Sequence, residues 1–106
     1  MHSNQFPFVG KTFIFDYDGF IARDTFLSDT EISFEVLSGP AKGIIGNAIY
    51  STRQVSDTQY LITWQEEDGG TVVHLDDFVK GESYSHYTNA RHEFFVMNGR
   101  IREAGE

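Results

Sequence analysis

The sequence predicts an all-β fold, built as a single antiparallel up-and-down barrel of eight or nine strands. Short runs of alternating apolar and polar residues follow one another, with turn signals roughly every 8–12 residues. Nearly every connection has the length of a tight hairpin, and no segment has the period of a helix. A meander of about eight strands removes its exposed edges by closing on itself, and its interior is nearly filled or holds one small ligand.

Length and composition indicate one folded domain, residues 1–106. Hydrophobic residues make up 40% of the chain and aromatic residues 15%, which is typical of a globular protein. There is no cysteine, so disulfides and thiolate metal sites are excluded and a reducing compartment is favoured.

The charge balance argues against two kinds of partner. A net charge of −8 repels phosphate backbones, so we expect no binding to nucleic acid. No apolar stretch approaches the roughly 20 residues of a membrane helix, so we expect no membrane partner. The first residues also lack a basic segment followed by an apolar run, so we expect no signal peptide and a cytoplasmic protein.

Four strands are predicted in the first half of the chain. They cover residues 11–17, 20–27, 31–36 and 43–55. Alternation places Phe13, Phe15 and Tyr17 on one face of the first strand, and Phe34 on the apolar face of the third. Asp18-Gly19 is a strong signal for a tight hairpin.

Two further features of this half bear on the shape of the barrel. The segment 4–8 precedes the first strand without a helical period, and we expect it to plug or cross one end of the fold. The alternation of the fourth strand blurs around Gly46-Asn47, which suggests a bulge.

The second half is organised around a hairpin with its turn at Asp68-Gly69. Strands are predicted over residues 60–66, 71–78, 82–88, 93–97 and 100–102, with Asn98-Gly99 as the last turn. Pairing Glu66 with Thr71 places Ile62, Trp64 and Glu66 on one apolar, inward face. In the same register His74 faces outward, whereas Tyr84 and His86 face inward.

Glu66 is the sharpest candidate for function. A carboxylate on an apolar face needs a partner or a raised pKa, and such groups cluster at functional sites. The alternative is that Glu66 lies at the strand end and simply reaches water. Tyr17 can donate a hydrogen bond into the lumen or support the rim. Trp64 is interpreted as core or pocket wall, without chemistry, and His86 as a satisfied pocket or core histidine.

No cofactor or metal site is predicted. The histidines lack the spacing of a metal pair, and no helix follows the Gly39–Gly43 stretch to direct N–H groups at a phosphate. No nucleophile elbow of the Gly-x-Ser-x-Gly type is present.

Several short segments resemble the MoaF-like family and, more distantly, the phenolic acid decarboxylases. They are Phe8-Val9-Gly10-Lys11, Phe15-Asp16-Tyr17-Asp18-Gly19, Ser38-Gly39, Trp64-Gln65-Glu66 with Gly69-Gly70, and Asp76-Asp77-Phe78. The resemblance runs from about Phe8 to Met97. It implies a lipocalin-like barrel of the calycin type, but no defined biochemical role.

The decarboxylase resemblance implies a mechanism that can be compared residue by residue. Those enzymes hold the substrate carboxylate with a tyrosine pair and an arginine, and a glutamate moves the proton. The glutamate corresponds to Glu66 and the second tyrosine to Tyr17, but the first tyrosine is Phe15 and the arginine position falls on Ile44 or Ile45. Each charge-assisted contact of such a clamp is worth roughly 1.5–3 kcal/mol, so we do not expect decarboxylase activity.

Three functions remain as hypotheses. The first is binding of a small, partly aromatic or apolar molecule in the lumen, without a cofactor. The predicted lining is Phe13, Phe15, Tyr17, Phe34, Ile62, Trp64, Glu66, Tyr84 and His86. The second is a non-redox lyase or isomerase with Glu66 as general acid or base and Tyr17 beside it. The third is a ligand-free module that dimerises through apolar residues predicted to point outward, namely Ile14, Leu37, Val72 and Tyr87.

Overall fold

The computed structural model describes residues 6–104, which form one closed antiparallel barrel of eight strands. The strands are β1 (Thr12–Asp16), β2 (Ile21–Phe26), β3 (Glu31–Val36), β4 (Ile45–Gln54), β5 (Gln59–Gln65), β6 (Thr71–Asp77), β7 (Glu82–Thr88) and β8 (Phe94–Glu103). Each strand pairs with the next along the chain, and β8 returns to β1. The predicted all-β, up-and-down barrel is therefore confirmed. Among the described residues there is no helix long and apolar enough to cross a membrane.

Aromatic side chains close one end of the barrel. Phe6 is only 2% exposed, and its ring packs edge-on against Phe26, Tyr50 and Tyr60 at centroid distances of 4.8, 5.9 and 5.2 Å. Phe8 stacks on Phe78 at 4.3 Å. The predicted plug is thus present from Phe6 onward, and the part of the predicted segment before Phe6 lies outside the described residues.

The connections β1–β2, β3–β4, β5–β6 and β7–β8 lie at the opposite end of the barrel. In the first of them, Asp18 and Gly19 both have positive φ, 63° and 103°, as a two-residue turn of this twist requires. The other connections at this end are the segment 37–44, the β5–β6 turn and the segment 89–93. This end is not covered by the aromatic plug, and it forms the mouth of the barrel.

The β5–β6 hairpin has a different register from the predicted one. Trp64 pairs with Val72 and Ile62 with His74, not with the next residue along. The N–H of Glu66 donates to the carbonyl of Gly70 at 2.6 Å, so the loop between them has three residues. Within this loop Gly69 has φ 97°. A shift of one residue moves every side chain of β6 to the other face. His74 therefore points into the lumen, and the prediction that it faces outward is wrong.

The shift carries over to β7. Tyr84 and His86 lie on the outer surface, where Tyr84 is 44% exposed and the His86 ring packs against Phe94. Both are therefore removed from the predicted lumen lining. The inward residues of β7 are Ser83, Ser85 and Tyr87. Two of the side chains behind the dimer hypothesis, Val72 and Tyr87, point into the barrel as well, and Ile14 is buried; the homodimer stays a prediction.

Two local predictions about β4 and β8 are also wrong. Asn98-Gly99 is not a turn, because β8 continues through it from Phe94 to Glu103. A side chain at Gly99 would overlap the backbone of Asp16 and the ring of Tyr17, so glycine allows β8 to approach β1 closely. The pairing of β3 with β4 is regular through Gly46-Asn47, without a bulge. There the Phe34 ring covers Gly46, where a Cβ would lie 2.7 Å from Cζ of the ring.

Candidate functional site

A cavity of about 190 Å³ occupies the half of the lumen next to the mouth. Its walls are mainly aromatic and aliphatic, and a few polar groups converge on it. The lining consists of Phe15, Tyr17, Phe20, Ala22, Asp24, Phe34, Val36, Ala41, Ile44, Trp64, Glu66, Asp68, Val72, His74, Ser85, Tyr87 and Met97. A cavity of about 150 Å³ in another protein holds benzene, so this one fits a molecule built on a single ring.

The structure brings together five of the nine residues predicted to line the lumen. Phe15, Tyr17, Phe34, Trp64 and Glu66 all border the cavity. The alternation of side chains along each strand predicted these positions correctly. A role in ligand binding stays a prediction for each of them.

Two further predicted residues point inward but lie deeper than the cavity. Phe13 packs on Phe8, Phe26 and Phe78 at the closed end. Ile62 is completely buried in the core. They support the floor of the cavity and do not line it.

Four buried polar side chains form a connected network beside the cavity. The Tyr17 hydroxyl lies 2.7 Å from Ser83 Oγ, and Ser83 Oγ donates to Asp76 Oδ1 at 2.6 Å. His74 Nδ1 lies 3.3 Å from the other oxygen of Asp76, and its Nε2 lies 3.3 Å from the Tyr17 hydroxyl. Because buried polar groups are costly unless paired, this network explains how β6 can carry His74 and Asp76 inside.

The count of donors in this network indicates a doubly protonated His74. Ser83 gives its proton to Asp76, so the Tyr17 hydroxyl must donate to Ser83. The Tyr17 oxygen is then left to accept from Nε2 of His74, while Nδ1 donates to Asp76. Burial by itself would lower the pKa of His74, but the Asp76 carboxylate beside it and the more distant Asp24 raise it overall. The geometry and the raised pKa favour a buried pair in which His74 donates to Asp76 from Nδ1 and to Tyr17 from Nε2.

Asp24 is the other carboxyl group in the lumen. It lies on β2, is 3% exposed and borders the cavity. Within residues 6–104 its carboxylate takes part in no hydrogen bond. Burial raises its pKa from 3.8 to about 7, with Asp76 and Glu66 adding to the rise and His74 opposing it.

Glu66 lies at the mouth, at the end of β5. It is half-buried, and its Oε1 accepts a hydrogen bond of 3.4 Å from the hydroxyl of Tyr87. Burial raises its pKa, the Trp64 indole partly offsets that rise, and Asp68 adds to it. The Trp64 N–H is itself buried and makes no hydrogen bond within the described chain, although it is close enough to Glu66 to influence that pKa.

The cavity carries an excess of negative charge. No lysine or arginine is among its lining residues, and His74 is its one basic group. Within the described chain, no three His, Asp or Glu side chains are arranged to hold a metal ion.

Sequence reasoning missed Asp24 and His74, which are central to this site. Asp24 lies between two apolar residues of the same strand face, Ala22 and Phe26, and that pattern was the available signal. His74 has apolar Val72 on one side but Asp76 on the other, so its position required the right register of the hairpin.

Fold and site together define a small β-barrel that is closed at one end. At the other end it has an open cavity with apolar walls and a few buried polar groups. The chain belongs to the MoaF-like family, which it matches over residues 9–102. A solved structure from Burkholderia vietnamiensis, provisionally named a beta-lactamase, is similar to it with a TM-score of 0.93 and 36% identity. The similarity covers 96% of this chain and all of the other. A search of curated proteins found no match.

Proposed function

We propose that this protein binds a small molecule, of about the size of one aromatic ring, in the cavity at the mouth of the barrel. The observation that carries the proposal is the pairing of an apolar cavity with convergent buried polar groups, Asp24, His74 and Tyr17. Pockets that bind small molecules have this composition, because apolar walls supply affinity and a few polar groups fix orientation.

Trp64 provides a direct readout for binding. It is the only tryptophan in the sequence and it borders the cavity, so a ligand there should change its fluorescence. A panel of single-ring compounds, including toluene, phenol and benzyl alcohol, would be titrated while Trp64 emission is followed. Saturable changes for at least one compound are expected, and none across the panel would refute binding in the lumen.

A cavity-filling variant supplies the matched test of location. Ala22 borders the cavity, and Ala22→Leu would add three carbon atoms to the side chain there. The variant is expected to lose binding while remaining folded. Ala90→Leu, in an exposed turn, adds the same group outside the barrel and should bind like the parent protein.

Acid–base catalysis is the second candidate, favoured by the pKa of about 7 at Asp24, because a group that titrates near neutral pH can both give and take a proton. The resemblance to decarboxylases supports it less, since the lining contains no lysine or arginine to hold a substrate carboxylate. Release of carbon dioxide from hydroxycinnamic acids is the assay. Absence of turnover at high protein concentration would rule out that reaction.

The name of the Burkholderia protein suggests hydrolysis of β-lactams, which we do not extend to this chain. Ser83 donates its proton to Asp76 and accepts from Tyr17, so its oxygen is held within the network. Hydrolysis of a chromogenic cephalosporin would test this directly, and we expect none.

A further inference from the structure

We propose that the cavity selects a small organic cation, an amine or amidine carried on one ring or a group of similar size, and that Asp24 binds its charged nitrogen. This inference rests on the proposed binding in the lumen and adds the chemical class of the ligand. It uses three features: an unpaired buried carboxyl group, the charge of the lining, and the aromatic walls.

The first feature is the lack of a protein partner for Asp24. Its side chain is almost fully buried and faces the cavity, yet none of the hydrogen bonds in the described chain reaches its carboxylate. The Asp24 oxygens are also not among the fully buried atoms that lack a partner, so they are accessible from the cavity. A donor carried by the ligand would supply the missing hydrogen bond.

The second feature is the charge that remains after the internal pair is counted. His74 is held between Asp76 and the Tyr17 hydroxyl, so both of its ring nitrogens already have partners inside the protein. Asp24 and Glu66 are left without a cation in the lining. An anionic ligand would meet these carboxylates in a poorly solvated space, whereas a cation would be attracted to them.

The third feature is the aromatic surface around the same space. Trp64 and Phe34 are stacked at a centroid distance of 6.3 Å and both border the cavity, as do Phe15 and Phe20. The faces of aromatic rings attract ammonium and amidinium groups through their quadrupoles, most strongly when water is excluded. Walls of this type accept the ring of the ligand and also favour its positive charge.

Protonation of Asp24 gives the inference a signature in pH. The charged or titratable groups that act on Asp24 are His74 and Asp76 from β6 and Glu66 just after β5. Asp24 in turn contributes, after burial and Asp76, to raising the pKa of Tyr17, the residue that follows β1. With its pKa near 7, Asp24 must lose a proton before it can pair with a cation. Affinity for the cation should therefore fall by up to about tenfold per pH unit below 7.

Three probes of nearly equal size separate the possibilities. Benzylamine is a cation, benzyl alcohol is neutral and benzoate is an anion. Titration calorimetry at pH 8 should give at least tenfold tighter binding for benzylamine than for benzyl alcohol, and no binding of benzoate. Asp24→Asn should lower the affinity for benzylamine to within about twofold of the affinity of the same variant for benzyl alcohol. Asp57→Asn, at an exposed loop position, should change neither.

The outcomes distinguish this inference from the function on which it depends. If benzyl alcohol binds as tightly as benzylamine, or benzoate binds best, selection of a cation is wrong while binding in the lumen stands. If none of the three binds, both fail. Should Asp24→Asn not fold, the parent protein decides: benzylamine affinity must fall between pH 8 and pH 6 while that of benzyl alcohol stays constant, and equal behaviour of the two would overturn the inference.

Discussion

Tyr17 and His74 are brought together inside the barrel, with the phenol oxygen 3.3 Å from Nε2 of the imidazole. Tyr17 directly follows β1 and His74 lies on β6, so the two side chains come from separate parts of the barrel sheet. Ser83 and Asp76 complete the ring of contacts, so that these four polar side chains satisfy one another. Among the lumen carboxylates, that of Asp24 takes part in no hydrogen bond within residues 6–104. Mutations can test both the network and the unpaired Asp24.

Replacing Tyr17 by phenylalanine tests the network. The change removes a hydroxyl that contacts Ser83 and His74 and leaves a buried N–H of His74 without an acceptor. We therefore expect a loss of about 1–3 kcal/mol in the free energy of unfolding. Urea denaturation measures it. Tyr84→Phe removes the same group from the outer surface and should have almost no effect. Equal losses in the two variants would contradict the buried network.

Replacing Asp24 by asparagine tests its shifted pKa through the pH dependence of stability. A carboxyl group whose pKa is about 7 when folded and 3.8 when unfolded favours the folded state below pH 3.8, and this contribution is lost as pH rises through 7. The difference between the two pKa values corresponds to a change of up to about 4 kcal/mol in the free energy of unfolding. The free energy of unfolding of the parent protein should therefore decrease between pH 4 and pH 8, and Asp24→Asn should decrease less.

His74 acts in the same direction as Asp24, because its pKa is also raised in the folded state. Part of the decrease should therefore remain in the asparagine variant, between the ordinary pKa of histidine and its raised value. Asp57→Asn, at an exposed position, should follow the parent curve. Identical pH profiles for the parent protein and Asp24→Asn would show that the Asp24 pKa is not raised.

A pair of neighbouring valines tests the register of the β5–β6 hairpin. Val72 is buried against the cavity, whereas Val73 is 39% exposed. Val72→Asp should cost several kcal/mol or prevent folding, because it buries a charge without a partner. Val73→Asp should change the free energy of unfolding by less than about 1 kcal/mol. Thermal denaturation compares them, and the opposite order would restore the register predicted from the sequence.

Gly99→Ala tests the contact between β8 and β1. The added methyl group would meet the backbone of Asp16 and, 2.6 Å away, the Tyr17 ring, so one of the strands must move. Overpacking of this kind costs roughly 1–3 kcal/mol. Asn98→Ala, at an exposed position of the same strand, is the control. Amide chemical-shift changes should centre on Tyr17, and a variant as stable as Asn98→Ala would contradict the close approach.

The sequence was sufficient for the features that depend on one strand or one tight turn. Parity alone placed Phe15, Tyr17 and Phe34 inside, and Asp18-Gly19 forms the predicted hairpin. These features require no knowledge of pairing, because side-chain alternation is a property of the single strand.

The features that depend on pairing could not be obtained in the same way. The Glu67–Gly70 stretch is compatible with loops of two, three or four residues, and only the three-residue loop turns His74 inward. Asn98-Gly99 has the composition of a turn, but close approach to β1 makes it part of a strand. Asp24 was overlooked because a charged residue is normally solvated, and its burial becomes visible only when the barrel closes around it.

Within residues 6–104, the aromatic rings around Phe6 fill the far end of the lumen and leave the mouth as its opening. A ligand bound as proposed would enter and leave by that route, past Phe20 and Ile44 and beside the carboxylates of Glu66 and Asp68. An acidic doorway speeds the arrival of cations and slows that of anions, and added salt weakens both effects. Ionic strength should therefore change the association rate of a charged ligand more than its dissociation rate.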